Sequence, residues 1–121
     1  MGIMEDKIRQ TFERRQFAKL RTLHDAENNR LLQMKHEYSR LPDGEILIPY
    51  KNAHATYYIY ENGIQKSVKR SEPVVDKLMR KRVLKRAITM QEAWCRSLDD
   101  AEKSFRHRMK SMEKSGMGKT L

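Results

Sequence analysis

The residues best suited to bind a ligand form a basic block in the second half of the chain. Nine Lys and Arg residues stand between Asn62 and Arg86, where only Glu72 and Asp76 oppose them. This block accounts for +7 of the formal net charge of +10. A dense positive surface attracts polyanions, of which nucleic acid is the commonest. The phosphate contacts that we predict are Lys66, Lys69, Arg70, Lys77, Arg80, Lys81, Lys85 and Arg86.

Four tyrosines precede this block, at Tyr50, Tyr57, Tyr58 and Tyr60. Aromatic side chains favour strands and usually pack in a core, but exposed ones stack on bases. Neighbouring residues of a strand point to opposite faces, so one of Tyr57 and Tyr58 should point away from the core. We therefore expect Tyr58 or Tyr60 to reach bases or sugars.

Groups that could perform catalysis or bind a metal are scattered. The histidines, His24, His36, His54 and His107, show no paired spacing, and the one cysteine, Cys95, has no local base and suits a buried position. Asp99, Asp100 and Glu102 suit pairing along a helix. We predict no catalytic residue, no metal site and no cofactor, and hence a protein that is not an enzyme.

The periodicity predicts helices around a small sheet. A helix is expected over residues 4–41, with apolar residues at Ile8, Phe12, Leu20, Leu23, Leu31, Met34, Tyr38 and Leu41, before the turn residues Pro42, Asp43 and Gly44. Strand patterns follow over 45–50, 55–60 and 64–70, and Asn62-Gly63 favours a type I′ hairpin turn. A helical pattern then covers 72–114, as one helix or as two broken near Thr89 or Ser97.

The predicted fold class is therefore α+β: a long N-terminal helix, a three-stranded antiparallel β-meander over 45–70, and one or two C-terminal helices. With 121 residues and 38% hydrophobic residues, we expect a single domain over 1–121 and a flexible tail at 115–121. No stretch reaches the apolar length of a membrane span, and no secretory signal stands at the N-terminus. A lone cysteine fits a reducing cytoplasm, so we expect a cytoplasmic protein without a membrane partner.

The middle of the chain also resembles a family of uncharacterised Firmicutes and mobile-element proteins. The residues concerned are 41–48 (LPDGEILI), Tyr57-Tyr58, 61–63 (ENG) and the basic helix after them. Members of that family join a coiled N-terminal helix to such a strand, a tyrosine-bearing hairpin and a basic helix. Longer members carry a restriction-endonuclease-like domain. This chain ends at Leu121, where that domain would begin, so no catalytic residue is carried over.

Two main functions follow from these patterns, beside a third hypothesis of a truncated nuclease accessory region, which metal-dependent cleavage would test. The first is non-catalytic binding of DNA or RNA through a basic face made by strand and helix. The alternative is a protein–protein interaction module, such as a small phage or mobile-element inhibitor (anti-CRISPR-like) of a nucleoprotein enzyme. In that case the narrow apolar stripe of residues 8–41 would form a homodimer or grip a partner.

Overall fold

The computed structural model describes residues 2–47 and 57–114. Helix α1 covers Gly2–Ser39, and strands β1, β2 and β3 cover Glu45–Leu47, Tyr57–Glu61 and Ile64–Val68. Helix α2 covers Pro73–Met112. The predicted α+β fold is confirmed, with a long N-terminal helix, a three-stranded antiparallel sheet and a C-terminal helix.

Helix α1 ends two residues before the predicted boundary. The amides of Arg40 and Leu41 donate to the carbonyls of Glu37 and Tyr38 at 3.1 and 3.2 Å. These tighter bonds close the last turn, and Pro42 disfavours a further helical residue before it.

The sheet is a meander with strand order β1-β2-β3 and antiparallel pairing throughout. Asn62 and Gly63 connect β2 to β3 with φ angles of 51° and 79°, the left-handed values of a type I′ turn. The predicted hairpin is therefore present. Gly44, ahead of β1, also has a positive φ of 104°.

One face of the sheet packs on the start of α2. Tyr57 and Val68 lie opposite each other in β2 and β3 and so share this face, and the register of β1 with β2 places Ile46 on the same face. These three residues form the core with Val75 and Leu78 of α2. Tyr58 and Tyr60 consequently lie on the other face. Val75 and Leu78 are almost wholly buried, which fixes the sheet against the first turns of the helix.

Helix α2 is continuous across both predicted break points, Thr89 and Ser97. It begins at Pro73, whose fixed φ and missing N–H suit the first helical position. The hydroxyls of Thr89 and Ser97 donate to the carbonyls of Lys85 and Ala93, four residues earlier, so both polar side chains are accommodated within the helix.

The chain forms two compact units. One comprises Met1–Arg30 and Gln91–Leu121, and the other comprises Leu31–Met90 and contains the sheet. Within the first unit the helices run antiparallel, since Gln91 hydrogen-bonds to Glu27 while Arg108 pairs with Glu13. The expectation of one domain over 1–121 stays a prediction.

The apolar stripe predicted for α1 is only partly buried. Leu20, Leu31, Met34 and Tyr38 are half-buried, whereas Ile8, Phe12 and Leu23 are exposed. A step of eight residues turns a helix by about 80°, so Phe12 and Leu20 lie near opposite edges of one helical face. Phe17, absent from the predicted stripe, is half-buried instead.

Some predictions fall outside the described residues. They are the end of the first strand at 48–50, which includes Tyr50, the start of the second strand at 55–56, His54 and the tail at 115–121.

Candidate nucleic-acid interface

The basic block divides according to what each cation contacts. Arg80 forms an ion pair and a hydrogen bond with Glu37 across the helices of the Leu31–Met90 unit. The hydrogen bond that Arg80 donates to the Glu37 carboxylate, and then the charge of that carboxylate, raise the pKa of Arg80 above its ordinary value. Arg80 is therefore already engaged by an acid of the same unit.

Lys81 is engaged by neutral groups. Its Nζ donates to the Pro42 carbonyl at 3.0 Å and lies 5.3 Å from the centre of the Tyr38 ring. The half-buried ammonium therefore helps to hold the turn after α1 against α2.

Lys85 has a looser partner. Its Nζ lies 3.9 Å from Oε1 of Glu45, and both side chains are about two-thirds exposed. A pair at this distance and exposure contributes little to stability, so Lys85 remains available to a ligand.

Six further cations of the basic block between Asn62 and Arg86 are exposed and have no carboxylate within 4 Å among residues 2–47 and 57–114. Five of them are predicted phosphate contacts, and the sixth, Arg82, is not. The sequence could have indicated Arg82 by its spacing, because Arg82 is four residues from both Leu78 and Arg86 and the three lie on one side of α2. The six are Lys66, Lys69, Arg70, Lys77, Arg82 and Arg86.

The two candidate tyrosines differ in access. Tyr60 is 45% exposed and Tyr58 is half-buried, whereas Tyr57 is buried on the opposite face. The prediction that Tyr57 and Tyr58 point to opposite sides is thus confirmed, and Tyr60 is the more accessible ring.

A groove of about 1010 Å³ lies beside β1 within the Leu31–Met90 unit. Cations of α2 line one wall, and Asp43, Glu45 and Glu61 line the strand wall together with Tyr60. The groove brings together four of the basic residues, namely Lys81, Arg82, Lys85 and Arg86. Lys66, Lys69, Arg70 and Lys77 are not among its lining residues.

Acids of the other unit are used within the protein. Glu102, with its side chain only 12% exposed, lies within hydrogen-bonding or ion-pair distance of His24, Arg21 and Arg106. Lys103 pairs with Asp99 at 2.9 Å, and this hydrogen bond lowers the pKa of Asp99. The predicted pairing along the helix is confirmed for Asp99, with Lys103, and for Glu102, with Arg106.

The described chain shows no grouping of three His, Cys, Asp or Glu side chains that could hold a metal ion. Cys95 is a free, buried cysteine, as its sequence context predicted. Over residues 2–47 and 57–114, neither helix contains an apolar stretch long enough to cross a membrane.

Comparisons with known proteins identify no relative of this chain. No protein-family model matches the chain, and searches of curated proteins and of solved structures also return no match. The resemblance noted from the sequence stays a prediction.

Proposed function

We propose that this protein binds DNA or RNA without catalysing a reaction, and that it does so through phosphate contacts from the Leu31–Met90 unit. The observation that carries the proposal is the set of six exposed cations without a carboxylate nearby. This unit has twelve Lys and Arg residues against six Asp and Glu residues. An uncompensated positive surface of this kind favours association with a polyanion.

The cations contribute unequally to this proposal. Arg80 and Lys81 already engage Glu37 and Pro42, so a phosphate would have to compete with these partners. Lys66, Lys69, Arg70 and Lys77 have no such competitor among the described residues and are the main phosphate contacts. Arg82 and Arg86 are equally unpaired, but the acids of the strand wall stand in the same groove.

Fluorescence anisotropy with labelled duplex DNA, single-stranded DNA and RNA tests the proposal. Four phosphate contacts on duplex DNA, from Lys66, Lys69, Arg70 and Lys77, predict a slope of about −4 in log K against log salt. Tight binding at low salt with a steep slope would support the proposal. Absence of binding to all three probes at low salt would reject it.

A second function, the protein-interaction module, is favoured by exposed apolar residues on the first turns of α1. Met4, Ile8 and Phe12 recur every four residues and are 79%, 68% and 57% exposed. Residues at this spacing lie along one side of a helix. Such a stripe suits a second copy of the chain or a partner protein, including a nucleoprotein enzyme.

Light scattering coupled to size exclusion tests the homodimer, using the chain and its Ile8→Asp, Phe12→Asp double variant. A dimer that persists at high salt and dissociates in the variant would support this function. If the unchanged chain and its double variant are both monomeric, the homodimer through α1 is rejected.

A further inference from the structure

The sheet has an outer face, opposite to the face that packs on α2. The strand register places two side chains from each strand on this outer face. All of them are exposed except Tyr58, which is half-buried. The outer face therefore presents two aromatic rings on its central strand, with uncharged polar groups beside them on β3. Its members are Glu45 and Leu47 of β1, Tyr58 and Tyr60 of β2, and Gln65 and Ser67 of β3.

The two edges of the sheet carry opposite charge. Residues 64–70, which are β3 and the two residues after it, include three cations and no acid: Lys66, Lys69 and Arg70. Residues 43–47, which are β1 and the two residues before it, include two acids, Asp43 and Glu45, and no cation. Strand β2 lies between these edges. A polyanion is therefore attracted to the β3 edge and repelled from the β1 edge.

The tyrosines of β2 lie next to the basic edge. Tyr58 is directly opposite Ser67 of β3, and Tyr60 is directly opposite Gln65. Opposite residues of neighbouring strands are separated by about 5 Å between their Cβ atoms. Lys66 stands between the two β3 residues; its side chain starts from the other face, but it is exposed on an edge strand. A phosphate backbone held along the β3 edge therefore passes within one side-chain length of both rings.

The spacing of the two rings distinguishes single strands from duplexes. Tyr58 and Tyr60 alternate along β2, so they are separated by about 6.8 Å along the strand. Bases of a duplex are stacked about 3.4 Å apart and paired, which covers their faces. A single strand exposes its base faces, and bases that leave their own stack can lie on separate aromatic side chains. The outer face therefore suits an extended single strand.

We propose that the outer face binds single-stranded nucleic acid. The bases stack on Tyr58 and Tyr60, and the phosphates follow the β3 edge, where three of the main phosphate contacts lie. The proposal rests on the proposed function, because both use the same cations, and it adds the strand type and the residues that contact bases. DNA and RNA share the groups that the outer face would recognise.

Fluorescence anisotropy of the full chain with labelled probes of equal length tests the strand type. The probes are single-stranded DNA, RNA of the same sequence, duplex DNA and an oligomer of abasic deoxyribose phosphates. We expect each single strand to bind at least about tenfold more tightly than the duplex or the abasic oligomer. Phosphate contacts alone favour the duplex, whose charge density is higher, so this order reports contacts to bases. A difference between DNA and RNA measures the contribution of the 2′-hydroxyl.

Variants test the stacking residue. Tyr60→Ala should weaken single-strand binding by at least about fivefold and leave duplex binding unchanged, because one stacking ring is lost. Tyr60→Phe keeps the ring and should retain the affinity. Trp94→Ala is the matched control, since Trp94 is also 45% exposed but belongs to the other unit, and it should have no effect. Circular dichroism of the variants checks that the fold is intact, and the comparison of probes needs no variant.

Three outcomes would each overturn the strand-type proposal while the phosphate contacts stand. They are duplex binding as tight as single-strand binding, equally tight binding of the abasic oligomer, and equal effects of Tyr60→Ala and Trp94→Ala on single-strand binding. Binding to none of the probes at low salt would reject the proposed function as well.

Discussion

Lys81 donates a hydrogen bond from Nζ to the carbonyl oxygen of Pro42 at 3.0 Å, linking α2 to the turn that ends α1. The side chain is half-buried and also covers the Tyr38 ring. One cation of the basic block therefore serves the fold. Its position in the sequence, between Arg80 and Arg82, gives no sign of this role.

Lys81→Met should accordingly destabilise the protein. The change keeps most of the aliphatic stem but removes the charged donor, leaving the Pro42 carbonyl without this hydrogen bond. We expect a loss of about 1–2 kcal/mol in the free energy of unfolding, measured by urea denaturation. Lys77→Met, at an exposed position of the same helix, is the control and should change stability by less than about 0.5 kcal/mol. Equal effects of the two changes would contradict the structural role of Lys81.

Glu102, in the unit of Met1–Arg30 and Gln91–Leu121, pairs with three basic side chains, those of Arg21, His24 and Arg106. Its Oε2 lies 2.7 Å from Nδ1 of His24, and Oε1 lies 3.2 Å from Arg106. Glu102→Gln removes the charge that these groups share, so we expect a loss of about 1–3 kcal/mol in urea denaturation. Asp100→Asn, at an exposed site, should have little effect. A loss of stability there similar to that of Glu102→Gln would contradict the stabilising role of Glu102.

The Asp99–Lys103 pair makes a prediction about pH. The hydrogen bond from Lys103 lowers the pKa of Asp99, so the folded state binds a proton less readily than the unfolded state. The associated stability is present above the unfolded pKa and is lost as the pH falls through the folded pKa. Lys103→Gln should raise the pKa of Asp99 towards its ordinary value, as measured by NMR titration of the carboxyl carbon. Lys110→Gln is the control, and an unchanged Asp99 titration in Lys103→Gln would refute the assignment.

Two glycines with positive φ form a matched pair for substitution. A Cβ at Gly44 would lie 3.3 Å from Ile59 Cγ2 and 3.3 Å from the Tyr60 carbonyl oxygen, whereas a Cβ at Gly63 meets nothing within 4 Å. Gly63→Ala should cost about 1 kcal/mol from its backbone conformation alone. Gly44→Ala adds a steric conflict and should cost about 2–3 kcal/mol, both by thermal or urea unfolding. A larger loss for Gly63→Ala would contradict the close approach at Gly44.

Local patterns predicted the elements well because the determinants are close in sequence. Asn62-Gly63 specified its turn, and Pro42 and Pro73 lie at helix boundaries. The apolar stripe of α1 was less predictable, since Ile8 and Phe12 fit a helical period but found no covering surface among the described residues.

The division of the basic block could not be read from sequence. Glu37 and Arg80 are 43 residues apart, as Lys81 and Pro42 are 39 apart, and only the tertiary fold brings each pair together. Arg82 was not among the predicted phosphate contacts, because its environment depends on the groove beside β1, which forms only when the sheet packs on α2.

The most direct test of nucleic-acid binding compares two charge-reversal variants by fluorescence anisotropy at low salt. Lys69→Glu, Arg70→Glu, Lys77→Glu changes the proposed surface, and Arg14→Glu, Arg15→Glu, Lys19→Glu makes the same change in net charge on exposed residues of α1. The account predicts that the first variant loses affinity for the nucleic-acid probe by at least about 100-fold, with the salt slope reduced by about 3. It also predicts that the second variant stays within about tenfold of the unchanged chain. Equal losses in the two variants, or none in the first, would contradict it.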